Sequence, residues 1–210
     1  MSSPQTPDDW RALSVALTDT ELRIGGRQVM QAWERPLMEV LAREVTAGRG
    51  DILEVGFGMG IAARAILQGG CRTYTVIEAH PQIAANARRW GQQQSVPVTV
   101  LEGFWQDLAP SLTADFDGIL FDTFPIVQED AHLNPAAMIG AMQRLLRRAG
   151  ILTYYSGVSH GFPDDQLRLL LTHFDEVKLL KVSGLEPPPA PACDYFNQTC
   201  MIVPVARKGG

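Results

Sequence analysis

Between residues 51 and 155 short β-branched runs alternate with helical segments, and this alternation limits the fold more than any other feature of the chain. Asp51–Gly56 (DILEVG) reads as a buried strand, Ile61–Gln68 as a helix closed by Gly69-Gly70, and Thr73–Ala79 as a second strand. Pro81–Trp90 reads as a helix with proline in its first turn, and Val96–Glu102 and Phe116–Phe121 as two further strands. Asn134-Pro135 offers a cap and a first-turn proline for a helix running through AAMIGAMQRLLRR. Ile151–Tyr155 gives a fifth strand and Asp164–Phe174 another helix. Glu176–Val182 and Cys200–Val205 then follow with only the extended Glu186–Ala192 (EPPPAPA) between them, which predicts an antiparallel pair at the sheet edge. The expectation is an α/β protein with a mostly parallel sheet and helices on both faces. Ligands of such sheets bind beyond the carboxyl ends of the strands, where strand order reverses.

Upstream of the alternation, Trp10–Val45 looks helical, interrupted by Gly25-Gly26 and by Pro36, where one helix ends near Glu34 and another begins. At 210 residues the chain fits one domain. Its net charge of −5 argues against a nucleic-acid binder, and no apolar run approaches the roughly 20 residues that span a bilayer. The start, MSSPQTPDDW, shows neither a basic nor an apolar signal region. Cys71, Cys193 and Cys200 form no paired framework and suit a cytoplasmic setting. His80, His132, His160 and His173 show no metal-ligand spacing, so no metal is expected.

The first strand leads into Glu54-Val55-Gly56-Phe57-Gly58-Met59-Gly60-Ile61. A dinucleotide fingerprint needs a third glycine at position 61, which is Ile61, so the dehydrogenase reading fails in detail. Three glycines preceded by the acid Glu54 point instead to S-adenosylmethionine. Glycine lets backbone approach the methionyl part of that cofactor, and the carboxylate answers its positive charge directly or through water. Glu78 ends the second strand 20 residues after Gly58, where an acid receives ribose hydroxyls. Ala79 and His80 follow and could flank the adenosine, although His80 before Pro81 also reads as a plain loop histidine. Trp105 and Gln106 offer adenine an apolar face and a polar edge; a core aromatic beside a helix cap is the alternative.

Asp122, in Asp122-Thr123-Phe124-Pro125, closes the fourth strand next to the expected switch point. It could orient an N–H donor and take its proton during amine methylation, or simply cap the strand. Met30, Glu34 and Met38 recur at helical spacing, which places two thioethers and a carboxylate near one face. Core methionines and a snorkelling surface acid are the competing reading. Two carboxylates aimed at one acceptor favour a planar cation with several N–H donors, and guanidinium fits that description.

Taken together, LRIGGRQVMQAWERPLM (22–38), ILEVGFGMGIAA (52–63), VIEAHP (76–81), EGFWQDLAPSL (102–112), FDGILFDTFP (116–125), GILTYY (150–155) and the PP…CDYF…MIVP tail resemble the guanidinoacetate N-methyltransferase family. EAHP also resembles the related arginine δ-N-methyltransferases. The resemblance implies a class I methyltransferase fold: a Rossmann-like seven-stranded sheet with an antiparallel edge strand. It implies a helical lid segment over residues 1–48, packed on the cofactor-binding domain at 49–210. It places the cofactor against Met30, Met38, Phe57, Gly58, Met59, Gly60, Ile61, Ala62, Glu78, Ala79, His80, Trp105 and Gln106, and the guanidino group between Glu34 and Asp122. In the family, backbone amides after the fifth strand receive the substrate carboxylate; the corresponding stretch here is Ser156-Gly157-Val158, so Gly157 and Val158 are the candidates. The implied reaction is N-methylation of a small guanidino compound, first guanidinoacetate to give creatine, with free or protein-bound arginine as the alternative. A catalytically silent cofactor-binding module is the rival from another class. The implied protein is a monomer or homodimer whose partner is a small molecule, with neither membrane nor nucleic acid involved.

Overall fold

The computed structural model describes residues 7–113, 115–123 and 135–210. It opens with a short helix α1 (Pro7–Arg11) and strand β1 (Val15–Leu17), which pairs antiparallel with β2 (Glu21–Ile24). β2 turns directly into β3 (Arg27–Gln31) through Gly25 and Gly26, whose φ angles of 59° and 80° suit the mirror-image turns of two-residue hairpins. Leu22, Ile24, Gln28 and Met30 alternate inward along this meander. The helical expectation for Trp10–Val45 is therefore corrected over residues 15–31. Along β2 and β3 every second residue is buried as far as Met30, and the Gly-Gly pair makes a hairpin rather than breaking a helix. One 3₁₀ turn (Ala32–Glu34) leads into α2 (Arg35–Val45), with Pro36 in its first turn. Met30, Glu34 and Met38 thus belong to a strand, a 3₁₀ turn and a helix in succession, not to one helical face.

The alternation downstream follows the sequence closely. In chain order come β4 (Asp51–Val55), α3 (Ile61–Gly69), β5 (Thr73–Glu78), α4 (Pro81–Gly91), β6 (Val98–Glu102), α5 (Trp105–Leu108) and β7 (Phe116–Phe121). After them come α6 (Pro135–Leu145), β8 (Leu146–Tyr154), α7 (Asp164–His173), β9 (Glu176–Ser183) and β10 (Cys200–Arg207). The helix cap expected at Asn134, and Phe124, Pro125 and His132, lie outside the described residues.

These strands form one sheet in the order β6-β5-β4-β7-β8-β10-β9. The first five pair in parallel, while β10 runs antiparallel to both β8 and β9 and closes the edge with a hairpin-like pair. Side chains of α2, α3 and α4, among them Leu37, Leu41, Ile66 and Ile83, fill the core on one face, with the meander packed beside them. Met138, Ile139, Met142 and Leu170 of α6 and α7 fill the other. Helices on both faces leave the carboxyl ends of the parallel strands as the open rim of the sheet. Strand order reverses between β4 and β7, so the rim's crevice falls after Val55 and Phe121.

Candidate functional site

At this reversal the backbone is drawn tight. The Gly56 N–H donates to the Ile77 carbonyl (2.8 Å), and the Asp122 N–H donates to the Val55 carbonyl (2.9 Å). Gly56 sits at φ +93°, and a Cβ there would collide with the backbone carbonyl oxygen of Asp122. Gly58, at φ +53°, lies so close to the meander that a Cβ would be 2.8 Å from Met30 Sδ. Glycine is therefore what lets the loop after β4 approach both Asp122 and the meander. Gly56→Ala is expected to lower stability by about 2–3 kcal/mol, through a strained φ and a backbone clash. Thermal unfolding checks this; a melting temperature within a degree of the wild type would contradict it.

The strand ends, the meander and two tyrosines enclose a cavity of about 260 Å³. Met30, Glu34, Gly56, Gly58, Glu78, Ala79, Trp105, Gln106 and Asp122, all singled out from the sequence, line it together. Others are placed differently. Met38 is fully buried in the core under α2, and Ile61 and Ala62 are buried in the same core at the start of α3, so all three fill the interior rather than the cavity wall. Glu54 is buried beneath the cleft, where Tyr74 Oη donates to its Oε2 (2.6 Å). The Phe57 ring packs on Trp90, and the Met59 N–H faces Met30 Sδ at 3.4 Å. Gly60 is the left-handed residue that precedes α3. None of these, nor His80, Gly157 or Val158, is among the described residues lining the cavity.

His80 has structural work on both ring nitrogens. Nδ1 accepts the Gln82 N–H at the start of α4 (3.2 Å), which leaves the proton on Nε2, 3.0 Å from the Leu13 carbonyl. It thereby ties the N-terminal segment, including the cavity-lining Trp10, to α4. The sequence reading missed Tyr155 and Tyr195 as cavity residues, together with the apolar wall of Leu22, Ile24 and Val29. Tyr155 follows β8 beside Asp122, its N–H donating to the Phe121 carbonyl (3.1 Å), and a strand-end position was the available signal. Tyr195 lies beyond the proline-rich stretch, and nothing local in sequence links it to Glu34.

Electrostatics set this cavity apart. Glu34 is only 3% exposed, and its Oε1 accepts both the Gln31 N–H (2.8 Å) and the Tyr195 hydroxyl (2.7 Å). Burial and then the nearby charge of Asp122 push its pKa up to about 8, against the pull of those two hydrogen bonds. Burial likewise raises Asp122 to about 7. Glu78 is raised by burial too, and backbone N–H groups of His80 (2.8 Å) and Phe57 (2.9 Å) oppose that shift. No Lys, Arg or His is among the described residues lining the cavity. Burial raises both acids, and the charge of Asp122 adds to the cost of ionising Glu34.

Sheet order and cleft define the class I methyltransferase fold. The structure superposes on spermidine synthase from Thermotoga maritima with a TM-score of 0.66, 15% identity, and coverage of 95% of this chain and 73% of that one. It also matches the O-methyltransferase TomG from Streptomyces achromogenes, solved in complex with SAM, with a TM-score of 0.57, 17% identity, and coverage of 86% and 82%. Within that fold the chain belongs to the guanidinoacetate N-methyltransferase family, whose family model matches residues 5–208. Among curated relatives, protein arginine N-methyltransferase 2 of Eremothecium gossypii is 31% identical over 138 residues, covering 62% of this chain and 32% of that protein. Its counterpart in Emericella nidulans is 39% identical over 100 residues, covering 46% and 24%. The chain thus spans about a third or less of the length of these relatives.

Proposed function

We propose that this protein methylates a guanidino nitrogen with S-adenosylmethionine as the methyl source. The observation that carries the reading is the pairing of Glu34 and Asp122, two buried acids from distant parts of the chain, in the cavity that also holds the glycine loop and Glu78.

The cavity fits the cofactor. Gly56 and Gly58 leave space that a Cβ would fill, Glu78 supplies a carboxylate at the end of β5, and Ile77, Ile83 and Phe104 give apolar walls. The buried Trp105 Nε1 has no hydrogen-bond partner among the described residues, as a donor awaiting a ligand would. S-adenosylmethionine supplies a methyl group activated on a sulfonium. The chain's own residues do the rest. Glu34 and Asp122 grip the flat cation through its N–H fork and fix which nitrogen faces the methyl. A guanidinium has no free lone pair on that nitrogen, so a proton must leave; Asp122, raised to about 7, is placed to take it. The Tyr195 hydroxyl, also on the cavity wall, holds Glu34 in position.

The charge states give a signed pH dependence. Guanidinium stays protonated throughout, whereas both carboxyls must ionise to hold it. Acceptor affinity is expected to rise from pH 6 to pH 8.5 as groups near 7 and 8 lose their protons, with proton release on binding at pH 7. Calorimetry in buffers of different ionisation enthalpy checks this; pH-independent affinity with no proton release would contradict it. Transfer of labelled methyl from S-adenosylmethionine to guanidinoacetate, arginine and simple guanidines tests the function itself. Labelled guanidino product is expected. Tight S-adenosylhomocysteine binding with no transfer to any guanidine would make the protein a silent binding module.

A further inference from the structure

Strand order sorts the cavity wall along the rim of the sheet. Trp105 comes after β6, Glu78 ends β5 and Gly56 follows β4, whereas Asp122 follows β7 and Tyr155 follows β8. The residues read above as the cofactor's thus share one half of the sheet edge, and Tyr155 lies beyond Asp122 in the other half. β7 and β8 pair in parallel with Phe121 opposite Tyr154, so Asp122 and Tyr155 leave the sheet side by side. The Tyr155 N–H fixes that placement by donating to the Phe121 carbonyl (3.1 Å).

The Tyr155 hydroxyl is buried and has no hydrogen-bond partner among the described residues. The other tyrosine on the wall differs, since Tyr195 Oη donates to Glu34 Oε1 (2.7 Å) and is committed within the protein. Burial first, and then the charges of Glu34 and Asp122, raise the Tyr155 pKa well above the ordinary tyrosine range. The group therefore stays a neutral hydroxyl, close to both acids and bonded to neither. A buried hydroxyl left unmet destabilises a fold, and a ligand that meets it on binding accounts for its being kept.

We infer that the Tyr155 hydroxyl is a third contact to the guanidinium of the acceptor, taking an N–H that the two acids leave over. The inference rests on the guanidino reading above and extends it to a residue outside the acid pair. A monosubstituted guanidinium has five N–H donors and no acceptor, and two carboxylates that each take a pair leave one donor unmet. The group that meets it must accept a hydrogen bond. A third carboxylate there would add like charge to acids that burial already makes hard to ionise, whereas a neutral oxygen does not. Proton removal stays with Asp122.

Tyr155→Phe removes the hydroxyl and keeps the ring. Methylguanidine, which carries only a methyl beyond the guanidine, is the probe. Its KM in labelled transfer from S-adenosylmethionine is expected to rise roughly tenfold or more, as loss of a hydrogen bond to a charged partner does. Both kcat and S-adenosylhomocysteine affinity are expected to stay within about threefold, as for a contact made to the acceptor alike in ground and transition states. The melting temperature is expected to hold or rise, because phenylalanine leaves no buried hydroxyl unmet. Guanidinoacetate run in parallel is expected to lose as much as methylguanidine. An unchanged methylguanidine KM, as for a hydroxyl that only holds water, overturns the inference. So does a loss confined to guanidinoacetate, which would give the hydroxyl to its carboxylate, or an equal weakening of S-adenosylhomocysteine, which would give it to the cofactor. A fall in melting temperature would make the hydroxyl structural and overturns it too. In each of these cases labelled product from the wild type leaves guanidino methylation standing. Absence of transfer from the wild type to every guanidine overturns that reading and this inference with it.

Discussion

Asp122→Asn is expected to lower methyl transfer by roughly a thousandfold, within the range ascribed to a positioned general base, while S-adenosylhomocysteine affinity stays within about threefold. Asparagine keeps the shape of the side chain, and the backbone bond from the Asp122 N–H to Val55 does not depend on it. What disappears is the negative charge and the ability to take a proton. The folded protein is expected to be no less stable, because burial already makes the charge costly there and holds the carboxyl near 7. Single-turnover kinetics beside a thermal melt separate the two effects. Retained turnover would remove Asp122 from its role, and a collapse in melting temperature would make it structural.

Glu34→Gln is expected to weaken a guanidino acceptor by about 3 kcal/mol, a hundredfold or more, as loss of one charged partner of a desolvated guanidinium should. The glutamine oxygen can still accept from Gln31 and Tyr195, so the 3₁₀ turn keeps its fastening. Stability and binding should move in opposite senses. Glu34 and Asp122 both titrate above their ordinary values of 4.5 and 3.8. Their contribution to stability is complete below those values and declines as pH rises through about 7 and 8, because the unfolded chain releases those protons first. Removing the ionisable group is therefore neutral or stabilising at pH 8 and harmful only to the acceptor. Acceptor and cofactor titrations on the variant check this; equal weakening of both would mean that Glu34 does not face the acceptor.

Much of the sheet was legible because its strands are short, β-branched and punctuated by glycine and proline. Glu78 and Asp122 were readable for the same reason, since an acid at a strand end lies on the ligand rim whatever the rest of the chain does. The N-terminal segment was misread where two periods compete. Over Leu22–Gln31 the inward residues repeat in twos, and Gly25-Gly26 is a hairpin signal, yet Met30, Glu34 and Met38 also match a helical repeat. Glu34 reached the cavity by a different route from the one expected, through a single 3₁₀ turn. Tyr195 could not be placed from its neighbours, because its bond to Glu34 spans 161 residues and depends on how the final strands return across the sheet. Met38, Ile61 and Ala62 lie in the core rather than on the cavity wall because the first turns of α2 and α3 pack these side chains into the buried cluster on that face of the sheet.

A crystal structure of the protein with S-adenosylhomocysteine and arginine tests the central claim most directly. The account expects the guanidinium between Glu34 and Asp122, within hydrogen-bond distance of both carboxylates (about 2.7–3.1 Å), with one nitrogen facing the cofactor sulfur across the Gly56 turn. Arginine bound elsewhere, or held by only one of the two acids with its guanidinium turned from the sulfur, would contradict it.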